Sequence, residues 1–97
     1  MVRITCINKE EGDHYDPHEG ITRFGWVNED THATGNNSRE EMIAFLERDR
    51  GQAFVRDALG RIAWLVVRVS RYGNKYLKTL ADGRDTDNLL FLSECGR

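Results

Sequence analysis

The segment Ile62-Ala-Trp-Leu-Val-Val67 constrains the fold more than any other part of this chain. It is the longest apolar run, six residues, and both of its alternating faces are apolar. A strand with one face in water alternates apolar with polar side chains, so this run belongs inside a sheet, covered on both faces. It continues to Tyr72, meets Gly73-Asn74, and returns as Lys75 to Leu80. A Gly-Asn pair between two strand-like runs signals a hairpin, and a two-residue loop is the expectation. That loop would set Tyr72 opposite Lys75 and Arg71 opposite Tyr76. One face would then carry Arg68, Ser70, Tyr72, Lys75 and Leu77. The other would carry Val67, Val69, Arg71, Tyr76 and Lys78.

The rest of the chain supplies partners for that strand. Val2 to Asn8 alternates, with Val2, Ile4 and Cys6 on one face. Ile21 to Val27 is β-branched and aromatic, and Gly25 in its middle points to a bulge or a close backbone approach. Gln52 to Asp57 reads as a short strand. The polar stretch Asn28 to Asn37 reads as a loop. One helix signal stands out. Ser38 and Glu41 form a capping box, and Met42, Ile43, Phe45 and Leu46 make an apolar stripe. Gly51 is placed to end that helix after roughly twelve residues. Leu89 to Leu92 is a closing apolar anchor, with Asn88 before it as a cap. The order is β-β-α-β-β-β and a short last element. This is an α+β fold, residues 1–97 in a single domain, with one amphipathic helix on a mostly antiparallel sheet of roughly four to five strands.

Charge is modest overall and uneven along the chain. The formal net charge is −2, which does not suit a general polyanion binder. Between Lys9 and Asp30 stand seven acids and two bases, whereas between Ala58 and Ala81 stand five bases and no acid. The first residues do not read as a signal peptide, and six apolar residues are too few to cross a bilayer. The expectation is a cytosolic protein with no membrane contact. Cys6 and Cys95 are then expected as reduced, buried, small hydrophobes.

Four constellations could carry chemistry. In Asp13-His-Tyr-Asp-Pro-His-Glu19, His14 and His18 stand four apart among carboxylates, which are zinc-ligand types. Pro17 breaks the helical geometry that would aim both rings at one ion, so no metal site is assigned. The plainer expectation is that His18 or a neighbouring acid bonds loop backbone and fixes the entry to the second strand. In Ala81-Asp-Gly-Arg-Asp-Thr-Asp-Asn88, three aspartates suggest a hard cation, but no acid follows at the twelfth position of a calcium loop. Asx turns and an Asp82-Gly83 turn are expected there. For catalysis, the chain has no Gly-x-Ser-x-Gly, no phosphate-cradling glycine loop and no Cys-x-x-Cys. We therefore read no catalytic residue and no cofactor. Last, Arg68, Arg71, Tyr72, Lys75, Tyr76 and Lys78 interleave cations with aromatic rings, the pattern used to hold phosphates and stack bases of single-stranded nucleic acid.

Two stretches carry a family resemblance: Cys-Ile-Asn-Lys-Glu-Glu-Gly-Asp-His-Tyr-Asp-Pro-His-Glu-Gly-Ile-Thr22 near the start, and Ser70 to Cys95 at the end. Together they resemble the small bacterial proteins grouped as domain of unknown function 3892. The resemblance covers essentially the whole chain. It departs at Ser93, where the family usually has proline before Glu-Cys. It implies a shared fold and brings no catalytic residues. The expected function is thus a small non-catalytic binding or adaptor module that uses the hairpin around residues 68–78. Its partner is a protein or single-stranded nucleic acid, with head-to-tail self-association as a further option. The alternative is a metal-dependent enzyme or metal-binding protein built on the His14/His18 loop.

Overall fold

The computed structural model describes residues 1–12 and 16–96. Among them the strands are Val2–Lys9 (β1), Ile21–Asn28 (β2) and Thr34–Ser38 (β3), then, after the helix Arg39–Glu47 (α1), Ala53–Arg56 (β4), Ile62–Val69 (β5), Lys75–Ala81 (β6) and Arg84–Thr86 (β7). Short 3-10 turns span Pro17–Gly20 and Asn88–Phe91. The strands form one sheet in the order β3-β2-β1-β4-β5-β6-β7. Every pairing is antiparallel except β1 with β4. The apolar run is an interior strand, as its composition requires, with β4 on one side and β6 on the other.

The fold is α+β as expected, with seven strands among the described residues rather than four or five. The additional strands, β3 (Thr-Gly-Asn-Asn-Ser) and β7 (Arg-Asp-Thr), are the two edges of the sheet. An edge strand pairs on one side and faces water on the other, so backbone bonding alone can place it without apolar alternation. The turn into β7 is the predicted Asp82-Gly83 pair, both at positive φ (54° and 77°), which is the backbone of a tight two-residue hairpin.

A bulge in β1 decides which side chains meet the core. Ile4 pairs with Trp26, Cys6 with Gly25 and Ile7 with Phe24, so Thr5 is the extra residue. Ile4 and Ile7, three apart in sequence, thereby share the face of Phe24 and Trp26. Cys6 is turned to the opposite face, against the simple alternation that grouped it with Val2 and Ile4. There it forms a disulfide with Cys95. The expectation of two reduced thiols is corrected by this bond: the bulge, not the local composition, sets where Cys6 points. Gly25 fills both roles anticipated for it, because it lies at the bulge and any side chain there would strike the Cys6 sulfur.

The helix forms where its cap and stripe place it. Ser38 Oγ accepts from the Glu41 N–H at 3.1 Å, and Glu41 Oε1 accepts from the Ser38 N–H at 2.8 Å. Met42 is buried in the main cluster with Ile4, Ile7, Phe24, Leu65 and Leu77, and Ile43, Phe45 and Leu46 pack against it. The helix has nine residues. Its left-handed terminating residue is Arg50, at φ 54°, rather than Gly51. Gly51 donates its N–H to Phe45 O at 2.9 Å and leaves space for the Phe45 ring. Leu89 anchors the last turn at 0% exposure, whereas Phe91 faces water. The cap position there is Asp87, not Asn88, and it makes no side-chain cap bond.

The β5–β6 hairpin departs from the two-residue loop. Val69 pairs with Lys75, Arg68 with Tyr76, Val67 with Leu77 and Val66 with Lys78, so residues 70–74 form the loop. Ser70 is the reason. Its hydroxyl accepts from the Tyr72 and Asn74 N–H groups at 3.3 and 3.2 Å, and its carbonyl accepts from the Gly73 N–H at 2.9 Å. Gly73 supplies the positive φ, 84°. The register correction regroups the faces. Arg68 stands with Tyr76 and Lys78, and Lys75 stands with Val67, Val69 and Leu77. Among the described residues, no helix is long and apolar enough to cross a membrane.

Candidate functional site

The six hairpin residues singled out by composition occupy three places. On the stem, Arg68 meets Asp85 in a two-pronged ion pair, Nη2 to Oδ1 at 2.8 Å and Nε to Oδ2 at 3.3 Å. On the same face Lys78 Nζ donates to Asp16 Oδ2 at 2.9 Å, with both side chains 18% exposed. Tyr76 stands opposite Arg68 on the same face; burial first, and then the Asp16 charge, raise its phenol above the usual value. On the other face Lys75 Nζ reaches both Glu47 oxygens, at 2.8 and 3.1 Å, and ties the stem to the end of α1. At the tip, the Arg71 guanidinium stands 5.9 Å from the Tyr72 ring centre, and Tyr72 is 79% exposed.

Asp16 organises the segment before β2. Its Oδ1 accepts from the His18 N–H at 3.0 Å, while its own N–H donates to Glu19 Oε2 at 3.0 Å. This is a capping box on the Pro17–Gly20 turn, and it is the backbone-holding role expected of His18 or a neighbouring acid. The same Oδ1 lies 2.7 Å from His18 Nδ1. Burial pushes the Asp16 carboxyl up, but the His18 amide and ring and the Lys78 ammonium outweigh it and hold the pKa at about 2. The His18 ring is fully buried. Its Nε2 makes no hydrogen bond among the described residues and lies 3.9 Å from Asp87 Oδ1. His14 lies outside the described residues. Among those described, no three metal-ligand side chains gather.

A groove of about 560 Å³ runs beside the hairpin tip. Tyr72, Asn74, Lys75 and Tyr76 line one wall, and Arg39, Glu40 and Ile43 from the start of α1 line the other. Glu10 and Glu19 also line it. Arg39 Nη1 donates to Glu19 O at 2.8 Å and fixes the helix start to the 3-10 turn. Composition did not identify Asp16, Glu47 and Asp85 as partners of the hairpin cations, from which they lie 62, 28 and 17 residues away. The available signal was the uneven charge. Asp16 comes from the acid-rich segment and Lys78 from the base-rich one.

The family model described as protein of unknown function (DUF3892) matches residues 3–93, and the chain belongs to that family. No curated protein and no solved structure matches it.

Proposed function

We propose that this domain is a binding module that meets a protein partner through the tip of the 68–78 hairpin and the groove beside it. The observation that carries this reading is the division of roles along the hairpin. Arg68, Lys75 and Lys78 each hold a carboxylate of their own chain at 2.8–2.9 Å. Phosphate binding would need those cations directed outward, and breaking three internal pairs would subtract from any gain. The tip instead offers an exposed aromatic ring at the mouth of a groove of mixed charge. Aromatic side chains at the edge of a pocket are typical of protein contacts.

The test begins with amide NMR of the labelled protein titrated with short mixed-sequence RNA and DNA at low salt. Amides of residues 68–78 are expected to stay in place. Shifts there that fade at high salt would assign the hairpin to nucleic acid instead. A photoreactive residue at position 72, used in cells of the source organism, should then capture a protein that the same probe at exposed Leu59 does not. Glu40→Lys on the opposite wall should weaken that capture. Equal capture from both positions would sink the proposed surface.

A further inference from the structure

We propose that the Cys6–Cys95 disulfide is an exchange-active clasp, opened by thiol attack, that holds the Ser93–Cys95 segment on β1 and releases it when reduced. The sheet itself motivates this. β1 pairs with β4 only at Val2 and Arg3. Beyond Arg3 the side of β1 that faces away from β2 would present bare backbone groups, which seek partners wherever they are shielded from water. The Ser93–Cys95 segment supplies them. The Ile7 N–H donates to Ser93 O at 3.1 Å, the Cys95 N–H donates to Ile7 O at 3.0 Å, and Ile7 and Glu94 form an isolated parallel bridge. Two backbone bonds do not keep so short a segment in place alone. The disulfide keeps it there, while the buried Leu89 anchors the chain just upstream. Loss of the bond would therefore free the segment after Leu92 and leave the sheet standing.

The two sulfurs are not equivalent. Cys95 is 6% exposed, whereas Cys6 is only half-buried. The geometry directs attack to Cys6. An incoming thiolate bonds to the Cys6 sulfur, the S–S bond breaks, and its electron pair leaves on Cys95 as a thiolate that takes a proton from water. The second thiol of a dithiol reductant then attacks the mixed disulfide. Cys6 leaves as a thiolate, and the reductant becomes the disulfide. Two electrons have passed from the dithiol to the protein.

Amide hydrogen exchange of the native protein, with and without dithiothreitol, tests the clasp. On reduction the Ile7 and Cys95 amides should lose roughly tenfold or more protection beyond what Leu65 and Leu77 lose, since those core amides follow only the fall in global stability. The Cys6→Ser/Cys95→Ser double variant should show the same pattern without reductant. In glutathione buffers, mass spectrometry should find the glutathione adduct on Cys6 rather than Cys95. Three results would overturn the proposal: retained protection at Ile7 and Cys95 after reduction; an equal loss at Leu65 and Leu77, which would make the bond only a staple of the whole domain; or a bond that resists glutathione buffers poised fully to the reduced side.

Discussion

Asp16 shows how much one side chain can fix. Its two oxygens hold the amide and ring of His18 and the ammonium of Lys78, so it joins the Pro17–Gly20 turn to β6. Because its folded pKa of about 2 lies below the ordinary 3.8, the carboxylate stabilises the fold above pH 3.8, and that contribution is lost as pH falls from 3.8 to about 2. Asp16→Asn should lower the melting temperature by an amount that is constant near neutrality and shrinks across that window. A gap that persists at pH 2 would mean that the loss is one of shape rather than charge. Gly25 makes a different kind of contribution. Gly25→Val would drive a side chain into the Cys6 sulfur and should cost about 1–3 kcal/mol in urea denaturation, with free thiol appearing on assay. A stable, fully oxidised variant would show that the close approach is dispensable. Gly25 was legible because a glycine among β-branched and aromatic neighbours has few explanations. The Asp16–Lys78 pair was not, because nothing local links residues 62 positions apart.

Among the elements, those with a periodic apolar signal were legible. β5 and α1 announced themselves through an apolar run and a capping box, and both lie where those signals put them. β3 and β7 carried no such signal, because pairing to a neighbour rather than burial makes them strands. The hairpin loop departs from expectation for a related reason. Gly-Asn suggested a two-residue turn, but the Ser70 hydroxyl offers two backbone N–H groups an alternative and extends the loop to residues 70–74. The longer loop matters to the candidate site, since it moves Lys75 off the face it is expected to share with Arg68. Ser70→Ala should therefore cost about 0.5–1.5 kcal/mol, and Gly73→Ala, at φ 84°, about 1 kcal/mol, both read from urea melts. If neither changes stability, the loop is held by its stem and not by these bonds.

For the molecule as a whole, the uneven charge of the chain turns out to be partly a folding feature. Asp16 of the acid-rich segment pairs with Lys78 of the base-rich one, and Glu47 and Asp85 take Lys75 and Arg68, so composition alone overstates how basic the hairpin surface is. The disulfide acts at the same scale, tying residues 89 apart and thus closing nearly the whole chain into one loop. A loop of that length constrains the unfolded chain by roughly 4–5 kcal/mol in the chain-entropy account, against a total of about 5–15 kcal/mol for a domain of this size. Reduction should accordingly lower the unfolding free energy by about 2–5 kcal/mol while the folded sheet, whose strand pairings do not depend on the bond, persists. The slope of the urea transition distinguishes the possible origins of that loss. If the bond acts by restricting the unfolded state, the reduced chain unfolds to a more open ensemble, exposes more surface, and shows a steeper dependence on urea. If the slope is unchanged and the loss is small, the bond stabilises only the segment it holds against β1, and the entropy of the long loop is not where its effect lies.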